Sequence, residues 1–166
     1  PADTGLDPCT GSVFVRQVGT GEVLASVTYP SYDNNELVNT FNNAYYNDLL
    51  QDGNTPLVNR PLKQKKASGS TFKMITALAG LETGTITPST TIVDKGLFKD
   101  AGVPYARCWI YSNTGGTHGP VNVSHALEVS CNYFFYELGY RLGSTANGSD
   151  SNKAITTLNE YMAAFG

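Results

Sequence analysis

The stretch SGSTFKMITALAGLETG, residues 68–84, sets the tightest limit on how this chain can fold. Phe72, Ile75, Leu78, Ala79 and Leu81 leave almost no polar face, so the helix that they predict has to run through a core. Ser68 or Ser70 is placed to cap its start, and Gly84 to end it. Two polar groups nevertheless stand at its entrance, Ser70 and Lys73. Positions i and i+3 are neighbours on a helix, so the lysine nitrogen can reach the serine oxygen. The first turn carries unpaired N–H groups and the positive end of the helix dipole, which disfavour an ammonium, and burial pushes the same way. A lysine so placed can be neutral and take the serine proton, while nearby backbone N–H groups hold an oxyanion. The same pair also arises by chance, so an ordinary helix start stays open on this pattern alone.

The rest of the composition narrows the classes. A length of 166 residues supports one domain with a real core, and 40% hydrophobic with 15% charged residues is a globular balance. The formal charge is −3, and the one basic cluster, Lys63-Gln64-Lys65-Lys66, is short, so no nucleic-acid partner is expected. No run approaches the ~20 apolar residues of a membrane span, and no signal-peptide pattern opens the chain. Cys9, Cys108 and Cys131 lack C-x-x-C spacing, so neither a zinc site nor another cofactor is expected, while one disulfide among them stays open. His118 and His125 are the only histidines, which turns a serine nucleophile away from a Ser-His-Asp triad and towards another base.

Along the chain, 12–18 and 23–29 read as a β-hairpin around Gly19-Thr20-Gly21-Glu22, apolar on both faces and so expected in a sheet covered on both sides. Residues 30–43 read as an irregular excursion, 44–51 as a short helix, and 85–120 as loop around a short strand at 90–94. A second helix starts near Asn122 or Ser124, breaks near Val129-Ser130 and resumes through Phe134, Phe135 and Leu138 to Leu142. STANGSDSN reads as a flexible polar loop, and 153–165 as a final amphipathic helix. The break places Ser130-Cys131-Asn132 where side chains can point into a cleft. There Ser130 can relay a proton and Asn132 can bind a substrate amide. The plainer alternative is that Ser130 caps the following helix.

Three segments together, GEVLASVTYPSYD, NRPLKQKKASGSTFKMITALAGLETG and HGPVNVSHALEVSCNYFFYELGYRLG, resemble the transpeptidase domain of class B penicillin-binding proteins. The resemblance runs from about Gly11 to the last residue. It implies an α+β fold of the β-lactamase/penicillin-binding-protein kind, an antiparallel sheet flanked by helices, incomplete in this chain. Residues 1–166 would then be the N-terminal part of one transpeptidase domain. By the same resemblance Ser70 attacks the D-Ala-D-Ala bond of a peptidoglycan stem peptide, Lys73 is the base, Ser130 carries the proton to the departing amine, and Asn132 holds the substrate backbone. β-Lactam antibiotics would acylate Ser70. Cys131 stands at a variable position of that motif.

One part of the pattern is missing. The third motif, Lys-Thr-Gly or a close variant, does not occur, and Glu82-Thr83-Gly84 reads as a helix C-cap instead. A missing or separate segment, a second polypeptide, is therefore expected to carry the remaining strands, and the isolated chain is expected to be inactive and not to fold stably alone. The parent protein is expected at the extracytoplasmic face of the bacterial membrane, its anchor outside this chain. A serine β-lactamase or β-lactam-sensing domain of the same fold is the nearer alternative, and a non-catalytic fragment or scaffold the more distant one. Neither Glu128 nor Glu137 has a motif around it that would mark a deacylating base.

Overall fold

The computed structural model describes residues 9–165; residues 1–8 and Gly166, the ends of the 1–166 expectation, lie outside the described residues. The chain divides into two compact units, Pro1–Ala67 and Ser68–Gly166.

The first unit is built on the expected hairpin. Strands β1 (Gly11–Arg16) and β2 (Val23–Tyr29) pair antiparallel, Val13 opposite Val27, with an irregularity between Val15 and Arg16. The turn closes through Gln17 N–H to the Glu22 carbonyl at 2.8 Å and Gly21 N–H to the Gln17 carbonyl at 3.0 Å. The excursion at 30–43 is less irregular than its Asn and Asp content suggests, because it holds a one-turn helix, α1 (Asn35–Val38). Helix α2 (Asn43–Gln51) starts where Asn42 accepts from Tyr45 N–H. Another turn of helix, α3 (Arg60–Lys63), packs on the hairpin, and Arg60 N–H donates to Thr28 Oγ1 at 3.1 Å. Val13, Phe14, Val15, Val23, Leu24 and Val27 are exposed, the open apolar face expected of a hairpin without the other strands of its sheet.

The second unit holds the core. Helix α4 (Lys73–Glu82) packs against α7 (Asn132–Leu142) and α8 (Ser151–Ala164), and α7 packs against α8. Ala77, Ala79, Ile86, Phe134, Leu138, Leu142 and Ala154 are buried together. Gly80 allows the close approach of α4 to α7, since a Cβ there would lie 2.8 Å from Leu138 Cδ1. Gly84 ends α4 at φ +69°, as a left-handed stop requires. The start of α4 differs from the expectation. Neither Ser68 nor Ser70 caps it; a turn of 3₁₀ helix, Gly69–Phe72, leads into it, and Met74 is exposed rather than threaded through the core.

The stretch 85–120 carries more structure than its Gly and Pro content signals. Strand β3 (Ile92–Asp94) falls where a strand was expected and pairs antiparallel with β6 (Gly119–Val121). Two-residue strands β4 (Leu97–Phe98) and β5 (Ala106–Arg107) pair ahead of helix α5 (Trp109–Thr114). Helix α6 (Val123–Glu128) begins where Asn122 accepts from His125 N–H at 2.9 Å. The polar loop is a small hairpin of β7 (Ser144–Thr145) and β8 (Gly148–Ser149), after which Asp150 caps α8. The fold is thus α+β, but among the described residues its antiparallel pairing comes as four two-stranded pieces rather than one sheet.

Candidate active site

The site lies wholly in the second unit, where the start of α4 meets the break between α6 and α7. Ser70 sits on the 3₁₀ turn, exposed, and Lys73 opens α4, half-buried. The break is sharp because Ser130 adopts φ +51°, a left-handed conformation that a non-glycine residue reaches only at a cost of about 1–2 kcal/mol. Ser130 does not cap α7; Cys131 holds that position and makes no side-chain capping bond.

Four side chains chosen from the sequence meet here. The Lys73 ammonium donates to Asn132 Oδ1 at 2.6 Å, to the Ser130 carbonyl at 2.8 Å and to Ser130 Oγ at 2.9 Å. Ser130 Oγ in turn donates to Ser70 Oγ at 3.1 Å. The geometry differs from the i, i+3 expectation in one respect. Among the hydrogen bonds of the described residues, none joins Lys73 to Ser70 directly, and the connection runs through Ser130. Burial lowers the Lys73 pKa from its ordinary 10.5, against the opposing pull of Cys131 and Cys108. The lysine nitrogen also lies 5.7 Å from the centre of the Phe135 ring. With Lys73 in its neutral form, the network can carry a proton from Ser70 to Lys73 in two short steps.

Beneath it is a cluster that sequence spacing argued against. Asp94, Cys108, His118 and Cys131 bring one ligand atom each to within 4.8 Å of one another. His118 Nδ1 lies 2.9 Å from Asp94 Oδ2, Cys131 Sγ donates to the same oxygen at 3.6 Å, and the two sulfurs stand 3.9 Å apart. Burial works to raise the Asp94 carboxyl, but the N–H groups of Gly96 and His118, with the His118 ring and the Cys108 thiol, outweigh it and hold the pKa below 3.8. Burial pushes the Cys131 thiol up to about 12. His118 Nε2 is buried without a hydrogen-bond partner. Two thiols, an imidazole and a carboxylate are four donors of the kinds that Zn²⁺ takes, and its charge would deprotonate the thiols. C-x-x-C spacing does not register such a group, because β3, β6, α5 and α7 each deliver one donor or its neighbour. Asp94 and Trp109, which also borders the break, carried no signal in the sequence alone. Cys9 lies in the other unit.

Comparison with known proteins places the chain in a family. Residues 11–166 match the family described as the penicillin binding protein transpeptidase domain. The peptidoglycan D,D-transpeptidase MrdA of Escherichia coli is 37% identical over 164 residues, covering 99% of this chain and 24% of that protein. The peptidoglycan D,D-transpeptidase PbpA of Mycolicibacterium smegmatis is 35% identical over 155 residues, 89% of this chain and 30% of that protein. Among solved structures, PBP2 of Pseudomonas aeruginosa, in complex with WCK 5153, superposes with a TM-score of 0.79 at 32% identity, covering 96% of this chain and 33% of that one. Penicillin-binding protein A of M. tuberculosis, as its penicillin G acyl-enzyme complex, superposes at 0.77 with 29% identity over 96% of this chain and 34% of that one. The chain therefore spans about a quarter to a third of the length of these relatives. With its motif residues assembled as described and the match running from the first strand onward, the chain belongs to the penicillin-binding protein transpeptidase domain family.

Proposed function

We propose that this chain supplies the nucleophile side of a peptidoglycan D,D-transpeptidase that cross-links stem peptides through a serine acyl-enzyme and is acylated by β-lactams. The observation that carries the reading is the continuous hydrogen-bonded path Ser70–Ser130–Lys73, closed by Asn132. Ser70 Oγ attacks the carbonyl carbon of the penultimate D-Ala and passes its proton to Ser130 Oγ, whose own proton moves to a neutral Lys73. Burial of Lys73 favours that neutral form. When the C–N bond breaks, Ser130 protonates the departing D-Ala amine and recovers a proton from Lys73. The acceptor amine of a second stem peptide then attacks the acyl carbon, with the same relay run in the opposite direction. Asn132 both fixes the ammonium and offers its amide to the substrate backbone.

On this reading the chain is one part of the domain. A strand bearing the Lys-Thr-Gly-type motif, which these 166 residues lack, completes the cleft, and the domain works at the outer face of the bacterial membrane. No described helix is long and apolar enough to cross a membrane. The test is the intact mass of the whole protein before and after penicillin. Addition of one penicillin to the peptide containing Ser70, lost in Ser70→Ala, supports the reading; a wild-type protein that gains no mass overturns it.

A further inference from the structure

We propose that Trp109 is a positioning residue for the relay serine, an inference that rests on the acylation reading above. Ser130 is held at φ +51°, where non-glycine residues persist only if their surroundings fix them. Its two backbone torsions are the hinges between two peptide planes, one ending in the Val129 carbonyl and the other in the Ser130 carbonyl. Each plane has its own clamp. Trp109 Nε1–H donates to the Val129 carbonyl at 3.1 Å, and Lys73 donates to the Ser130 carbonyl at 2.8 Å. With both planes pinned, the torsions between them are set, and Ser130 Oγ stays between Ser70 and Lys73. Ser130 N–H also donates to the Leu127 carbonyl, at a longer 3.2 Å, so removing the indole donor leaves that plane on this single bond, loosened towards the ordinary right-handed region with the hydroxyl drawn away from Ser70.

The indole is itself well seated for this task. Trp109 opens α5 directly after the fully buried Cys108, and its ring lies 5.6 Å from that of His118, tilted by 59°. His118 is anchored in turn by Asp94, to which its N–H donates at 3.1 Å. The indole, 43% exposed, therefore leans on the buried cluster through His118 and ends its donor on the carbonyl that precedes the relay. Trp109 acts on the chemistry through Ser130.

The experiment uses the whole protein with Trp109→Phe, and a second variant in which Trp109 is replaced by β-(3-benzothienyl)alanine, which keeps the shape and loses only the N–H. Acylation by a fluorescent penicillin is followed at increasing concentration, which separates pre-covalent affinity from the acylation step. Both variants are expected to slow the acylation step about five- to tenfold, the effect of one neutral hydrogen bond. Pre-covalent affinity and melting temperature stay at the wild-type values in the benzothienyl variant. Wild-type acylation rates in that variant, or a loss confined to affinity, overturn the role of Trp109 while leaving the acylation reading intact. A wild-type protein that is not labelled at Ser70 overturns both.

Discussion

Replacing Ser130 by alanine tests the proposed route of the proton most directly, because Ser130 Oγ hydrogen-bonds both Ser70 and Lys73, which share no hydrogen bond of their own. It lies 2.9 Å from Lys73 Nζ and 3.1 Å from Ser70 Oγ, a span that a single water can fill in the variant. General acid–base groups contribute about 10²–10⁴-fold, and a substituting water keeps the loss towards the lower end. Acylation by penicillin is therefore expected to slow by about 10²–10³-fold, or about 2.7–4 kcal/mol of barrier. Stability should fall far less. The Lys73 ammonium keeps two of its three acceptors, the Ser130 carbonyl and Asn132 Oδ1, so about 0.5–1.5 kcal/mol is at stake.

A glycine at the same position separates chemistry from strain. Ser130→Gly removes the same hydroxyl but relieves the left-handed backbone, so it should melt above Ser130→Ala by the equivalent of about 1 kcal/mol while acylating equally slowly. The assay is the second-order acylation rate of the whole protein with a fluorescent penicillin, alongside thermal melting. An alanine variant within threefold of wild type would refute the relay and return the proton to a direct Lys73–Ser70 transfer.

Other outcomes follow from the same geometry. Burial lowers the Lys73 pKa below 10.5, and the neutral base accumulates as pH rises through that lowered value. Acylation should therefore climb with pH along a limb centred below 10.5, and Lys73→Gln should abolish the limb; a profile unchanged in that variant would exclude Lys73 as the titrating base. Zinc released to a chromophoric chelator from the denatured whole protein should approach about one ion per chain, and fall sharply in Cys131→Ala. Leu138, fully buried between α4 and α7, should cost about 2–5 kcal/mol as Leu138→Ala in chemical denaturation. Asp150→Ala removes the cap that accepts from Asn152 and Lys153 N–H, and should cost about 1 kcal/mol, with faster amide exchange confined to the first turn of α8.

Local signals carried much of this fold. The hairpin, α2, the paired helices α6 and α7 and the glycine stop at Gly84 all follow from periodicity and turn residues within a few positions of one another. What the sequence hid were elements stabilised by distant partners. Strand β6, with Pro120 at its centre, reads as loop until Ile92 and Val121 pair across the intervening chain. Helix α5 is short and, among its first-turn residues, carries neither an acid nor a side-chain cap, so nothing local announced it. The four motif residues were singled out by the family resemblance, since helix geometry alone left an ordinary helix start at Ser70 and a capping role for Ser130 open. Their wiring was not legible, since the i, i+3 rule assumes a regular α-helix, and Ser70 sits instead on a 3₁₀ turn ahead of it.

Three consecutive residues account for the depth of the site. Ser130 and Asn132 both turn towards Lys73, whereas Cys131 between them turns the opposite way, into the buried group of Asp94, Cys108 and His118. A left-handed residue followed by a helix N-terminus makes that alternation sterically available, and Cys131 N–H to the Ala126 carbonyl at 2.8 Å secures it. The thiol thus anchors from below the same turn that Trp109 and Lys73 hold from its two carbonyls. The family resemblance marks the middle residue of this motif as variable. Here its side chain fixes where its two neighbours point, so a substitution at Cys131 should disturb Ser130 and Asn132 together, and slow acylation without altering either reacting group.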